Sequence, residues 1–176
     1  QALVEKDQPI TVEPRQRVRV IFDYENYVCG YPELTVTGGA GARVQWHTAE
    51  SLRQMHAPDD QPDSIEGDVA HAEGMVRRKA RGPKGNRNEV EGKVFQGFGD
   101  TWTADGGERR TFSPLWWRAG RYVELLVETA EQPLTLERAI VRQTHYPMDH
   151  GSKFDSPNAM LAEIIPIMVR GLQMCS

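Results

Sequence analysis

The sequence predicts a mainly β fold, an antiparallel β-sandwich or barrel closed by a C-terminal helix. Three observations predict it. The 176 residues include 16 Gly and 11 Pro, which favours many turns and short strands over long helices. Apolar and polar residues alternate with period two in several separate stretches. Over the last twenty residues that rhythm gives way to helical spacing.

Residues 17–24, RVRVIFDY, put Val18, Val20 and Phe22 on one face and Arg17, Arg19 and Ile21 on the other, as a half-buried strand requires. A second strand follows at 33–37, with Leu34 and Val36 on one face. The run GGAG at 38–41 then supplies a turn, and 43–49 resumes alternation, Val44, Trp46 and Thr48 opposing Arg43, Gln45 and His47. Further strands are expected at 89–97, at 108–113 after the turn residues Asp105, Gly106 and Gly107, at 121–129 and at 134–143. In 121–129, Val123, Leu125 and Val127 oppose Tyr122, Glu124, Leu126 and Glu128. Ser156 followed by Pro157 marks a helix start. Met160, Leu161, Ile164, Ile165, Met168 and Leu172 then form an apolar stripe, and Pro166 kinks the helix by removing the bond to Ala162. Either the sandwich or another domain must cover that stripe.

Residues 53–88 interrupt the strands with acids and then bases. The acids are Asp59, Asp60, Asp63, Glu66, Asp68 and Glu73; the bases are Arg77, Arg78, Lys79, Arg81, Lys84 and Arg87. This reads as a solvated insertion whose halves attract, with an arm docking on a neighbouring domain as the alternative. A formal charge of −4 and the absence of aromatic interleaving argue against a nucleic-acid partner. No apolar run reaches the roughly 18 residues of a membrane span, and QALVEKDQPI has no signal pattern, so no membrane partner is expected. Cys29 and Cys175 form no CxxC pair and read as thiols, a single disulfide between them being the alternative.

Candidate chemistry is sparse. His145, Asp149, His150 and Asp155 match no zinc spacing, and Ser51 lacks the glycine-flanked elbow of a hydrolase nucleophile. Asp100, Asp105 and Glu108 surround a Gly-Gly turn with oxygen donors suited to calcium, without the spacing of a calcium loop. Glu89 and Glu91 are expected on one strand face, where a wet surface explains them better than sugar hydrolysis. The most concentrated aromatic and cationic group is Trp116, Trp117, Arg118, Arg121 and Tyr122. Strand alternation would bury one tryptophan and expose the other, either to stack on a sugar ring or to anchor a domain contact.

The stretches VIFDYENYVCGYPELTVTGGAGARVQWHTAESL at 20–52 and KGNRNEVEGKVFQGFGDTWTADGGERRTFSPLWWRAGRYVELLVET at 84–129, with the tail from Phe154 to Cys175, resemble the bacterial α-L-rhamnosidases of glycoside hydrolase family 78. The likeness spans nearly the whole chain outside the insertion at about 53–83. It implies a concanavalin-like, jelly-roll type β-sandwich over residues 1–150. Residues 151–176 would be the linker and first helix of a helical (α/α)6 catalytic domain, the expected partner. It also implies that GLQMCS lies just ahead of the family's acidic motif, so no catalytic residue is assigned here. The parent enzyme would release terminal α-L-rhamnose with inversion, its carbohydrate substrate bound in the other domain. Two other readings stand beside this one: a carbohydrate-binding module for rhamnose-containing glycans, and a free-standing interaction domain.

Overall fold

A computed structural model describes residues 2–4, 8–54, 82–148, 151 and 153–175. Short strands β1 (Ala2–Val4) and β2 (Ile10–Val12) lead into β3 (Arg17–Gly38), which is 22 residues long. Next come β4 (Arg43–Ala49), β5 (Arg53–Gln54), β6 (Lys93–Val94), β7 (Phe98–Thr103) and β8 (Arg110–Phe112). Two long strands, β9 (Arg118–Glu128) and β10 (Leu134–Gln143), precede helix α1 (Ala159–Cys175). The fold is mainly β and sandwich-like, as the alternation predicts.

Eight of the strands share one antiparallel hydrogen-bonded sheet that β3 folds into two layers. From Arg17 to Asp23, β3 pairs with β9, which pairs with β4 and then β7. From Gly30 to Gly38 it pairs with β10, and Leu34–Val36 also pair with β8. Between these halves, Tyr24–Tyr27 stand opposite Arg121 alone. This wide bulge bends the strand out of one layer into the other. Glu25 takes φ 62°, and its N–H donates to Asp23 Oδ1 at 2.7 Å, the local turn that starts the bend. The strands expected at 17–24 and 33–37 are therefore one strand with a corner in it.

Alternation places the inner faces correctly. Leu34, Val36, Leu134 and Leu136 of one layer meet Val44, Trp46, Val123, Leu125 and Val127 of the other in a single buried cluster. Trp102 of β7 and Phe112 of β8 stack at 6.0 Å across the sandwich edge. The turn after β3 needs positive φ at Gly38 and Gly39, and a Cβ on Gly39 would meet Leu134 Cδ1 at 2.4 Å. GGAG thus serves the turn and the packing beneath it.

Of the strand expected at 89–97 only Lys93–Val94 is strand, and the longer edge strand follows at Phe98–Thr103. Glu89 and Glu91 therefore share no strand face. Residues 82–97 instead form a strap over the outer face of the first layer, where Ala49, Leu52, Phe95 and Tyr122 make a second small core. Glu50 pairs with Lys84 at 2.5 Å and with Arg87, while Tyr122 OH donates to Arg87 O at 2.7 Å. Buried Lys93 Nζ donates to the carbonyls of Lys84 (2.9 Å) and Asn86. At the base of the strap β5 pairs with β6, and Gln54 N–H donates to Pro83 O at 3.1 Å. The acids expected in the insertion and the bases Arg77–Arg81 lie outside the described residues. Its last two bases, Lys84 and Arg87, pair with Glu50.

Arginine-carboxylate pairs cover the outer faces: Arg17 with Glu128 at 2.9 Å, Arg19 with Glu124, and Arg138 and Arg142 with Glu33 at 3.0 and 2.7 Å. Burial pushes the Glu124 carboxyl up, but hydrogen bonds from His47 and Arg19 outweigh it and hold the group below the usual range. The Asp23 carboxyl is lowered by its hydrogen bond from Arg121, and the Glu50 carboxyl by that from Lys84.

A folded pKa below the unfolded one gives stability that is complete above the unfolded value and lost as pH falls through the folded one. The urea midpoint should therefore fall from about pH 6 to about pH 3, since unfolded carboxyls titrate near 4. Glu124→Gln should flatten that fall; an unchanged slope would deny Glu124 the role.

Candidate functional site

The structure divides the Trp116–Arg121 group in two. Trp116 and Trp117 lie in the coil before β9, and both are exposed, at 65% and 47%, with Leu115 beside them at 99%. The alternation expected of the pair fails because the strand starts only at Arg118. Neither tryptophan is core.

The two arginines are engaged inside the fold. Arg118 Nη2 reaches both oxygens of Asp100 at 2.8 Å, and its Nε donates to Oδ2 at 3.1 Å. Arg121 clamps Asp23 with two parallel bonds of 2.7 Å, donates to Asn88, and lies 5.0 Å from the Tyr122 ring centroid. Each guanidinium already has its carboxylate partner, so the free chemistry of this edge is aromatic surface.

Helix α1 extends that surface. Its cap is Asn158 instead of Ser156: Met160 N–H donates to Asn158 Oδ1 at 3.1 Å, and Ser156 Oγ accepts from Asn158 N–H one step earlier. Of the expected stripe, Met160, Leu161, Ile164, Met168 and Leu172 are exposed, as is Ile167 at 70%. Only Ile165, Val169 and the residues at 170, 173 and 174 are half-buried. The helix meets the sandwich mainly at β3, where Arg170 Nη2 donates to Tyr27 O and Cys29 Sγ lies 3.9 Å from Met174 O. The sandwich therefore does not cover the stripe. Cys29 pairs with Ala119, two residues from Trp117, so the helix terminus and the tryptophan edge adjoin.

The remaining candidates fall into place around these. Ser51 is buried, with no hydrogen-bond partner for its Oγ among the described residues. Asp105 accepts from Gly107 N–H at 2.8 Å and pairs with Arg110, while Asp100 faces Arg118. These two do not converge with Glu108 on a cation, and among the described residues no three His, Cys, Asp or Glu side chains form a metal-holding group. His145 Nδ1 contacts Tyr146 O at 2.9 Å; Asp149 and His150 lie outside the described residues. Cys29 Sγ lies against the carbonyl of Met174, and the side chain of Cys175 is outside the described residues. No helix among the described residues is long and apolar enough to cross a membrane.

The fold and this surface define a bent antiparallel β-sandwich carrying an amphipathic helix with its apolar side outward. Comparison with family models, curated proteins and solved structures finds no match. The aromatic edge and the outward helix face were only partly visible in the sequence, which shows the stripe but not what covers it.

Trp116→Ala and Trp117→Ala should each change stability by less than about 0.5 kcal/mol, as exposed surface positions do. Arg118→Met should cost about 1–3 kcal/mol by stranding Asp100. Chemical denaturation of the three variants checks both; a tryptophan variant as damaging as the arginine one would return that tryptophan to the core.

Proposed function

We propose that this chain is the accessory β-sandwich segment of a multidomain α-L-rhamnosidase, serving as scaffold and docking surface for a helical catalytic domain. The observation that carries this reading is the outward apolar face of α1. A 17-residue helix with Ile164, Ile167, Met168 and Leu172 exposed gains little by packing on its own sandwich. Against neighbouring helices it buries that face by ordinary ridge-and-groove packing. Trp116, Trp117 and Leu115 lengthen the same surface, and aromatic anchors of this kind concentrate binding energy.

The carboxylates support an accessory role. Asp23, Glu33, Glu50, Asp100, Glu124 and Glu137 are each paired with a guanidinium or ammonium. Inverting hydrolysis needs one carboxyl that keeps its proton and another free to take one from water. Salt-bridged carboxylates serve neither task well, and the reading assigns both to the helical domain.

The isolated chain should show no turnover of an aryl α-L-rhamnoside. Turnover by these 176 residues, abolished by changing a single carboxylate, would overturn the proposal. In the complete enzyme, Ile164→Glu combined with Met168→Glu should loosen the domain contact and lower the first unfolding transition in calorimetry. The same pair in the isolated chain should leave its unfolding temperature nearly unchanged.

A further inference from the structure

The outer face of the second layer carries a groove across β8, β3 and β10. It is an open depression of about 220 Å³ lined by Glu33, Thr35, Arg109, Thr111, Glu137 and Arg138. Four segments build it: β3, the turn before β8, β8 itself and β10. Thr35 and Thr111 form its floor, their hydroxyls 3.1 Å apart.

Its polar groups are held in place yet keep spare capacity. Glu33 is fixed by Arg138 on one oxygen at 3.0 Å and by Arg142 on the other at 2.7 Å, and each oxygen retains a lone pair. Glu137 accepts from Thr37 Oγ1 and pairs with Arg109 at 3.4 Å. Arg109 is itself positioned by a left-handed backbone, φ 49°, with its N–H donating to Thr37 Oγ1 at 2.9 Å. A guanidinium has five N–H donors, and the contacts here use only some of them.

Among the lining side chains, two carboxylates and two guanidiniums balance in formal charge. The lining offers alternating acceptors and donors at fixed positions, which suits adjacent hydroxyls that are each donor and acceptor. Tyr31 lies just beyond the residues that line the groove. It lies two residues before Glu33 on the same strand face, about 6.7 Å along β3, and its ring is exposed. A ring at the end of a polar groove can take the C–H face of a sugar.

We propose that this groove binds a neutral saccharide, gripping vicinal hydroxyls between the Glu33–Arg138 and Glu137–Arg109 pairs with Tyr31 as stacking platform. The inference rests on the sandwich alone and stands or falls separately from the rhamnosidase reading.

The test is amide NMR of the whole chain titrated with methyl glycosides of L-rhamnose, D-galactose and D-mannose, with sulfate and D-glucuronate as charged arms. At least one neutral glycoside should give saturable shifts at Thr35, Arg109 and Thr111. Tyr31→Ala and Thr111→Val, both at exposed positions, should each weaken that binding by about 10-fold, and Trp116→Ala should leave it unchanged. No saturable shift with any of the three sugars would overturn the proposal. So would shifts confined to Trp116 and Trp117, or tighter binding of sulfate or glucuronate than of any neutral sugar at these amides.

Discussion

The fold depends on the corner in β3. One strand belongs to both layers, so the angle between them, the closure of the core and the orientation of both outer faces follow from how Tyr24–Tyr27 turn. The corner is held from outside by Arg121, which grips Asp23 where the bulge begins, and from inside by Tyr24, whose ring is buried in the core. Burial pushes the Tyr24 hydroxyl's pKa well up, so it stays neutral there. Arginine suits the outer role because its planar fork fixes a carboxylate in direction as well as distance, which a lysine would not.

Much of the fold was legible because burial on one face enforces period two. The faces of 43–49 and of 121–129 and the extent of 134–143 all follow from alternation. The misses have local causes. Asp23, Glu25 and Asn26 look like a loop, and only pairing with two different strands makes them a corner. Phe98–Thr103 carries Gly99 and Asp100, which weaken its strand signal, while the more regular alternation just before it belongs to the strap. The roles of Arg118 and Arg121 were illegible because Asp100 and Asp23 are remote in sequence. The groove draws on four segments and has no sequence signature at all.

Local cancellation of charge is the second organising feature. A net charge of −4 conceals outer faces on which most carboxylates have a named arginine or lysine partner. Such pairs add little stability individually where they are exposed. Their effect here is to make the two sheet faces self-sufficient toward water. The surface then departs from self-sufficiency in two kinds of place: the apolar helix face with its tryptophan edge, and the groove where paired charges surround open hydroxyls.

The base of the strap bears on how this chain tolerates change. Because Gln54 bonds to Pro83 and Arg53 donates to Gly82 O at 3.2 Å, the described chain on either side of residues 55–81 is held side by side. For a stretch closed in this way the entropic penalty grows only with the logarithm of its length, about 0.6 kcal/mol per doubling. Changing the length of that stretch therefore costs the fold little so long as the clamp at its two ends is kept.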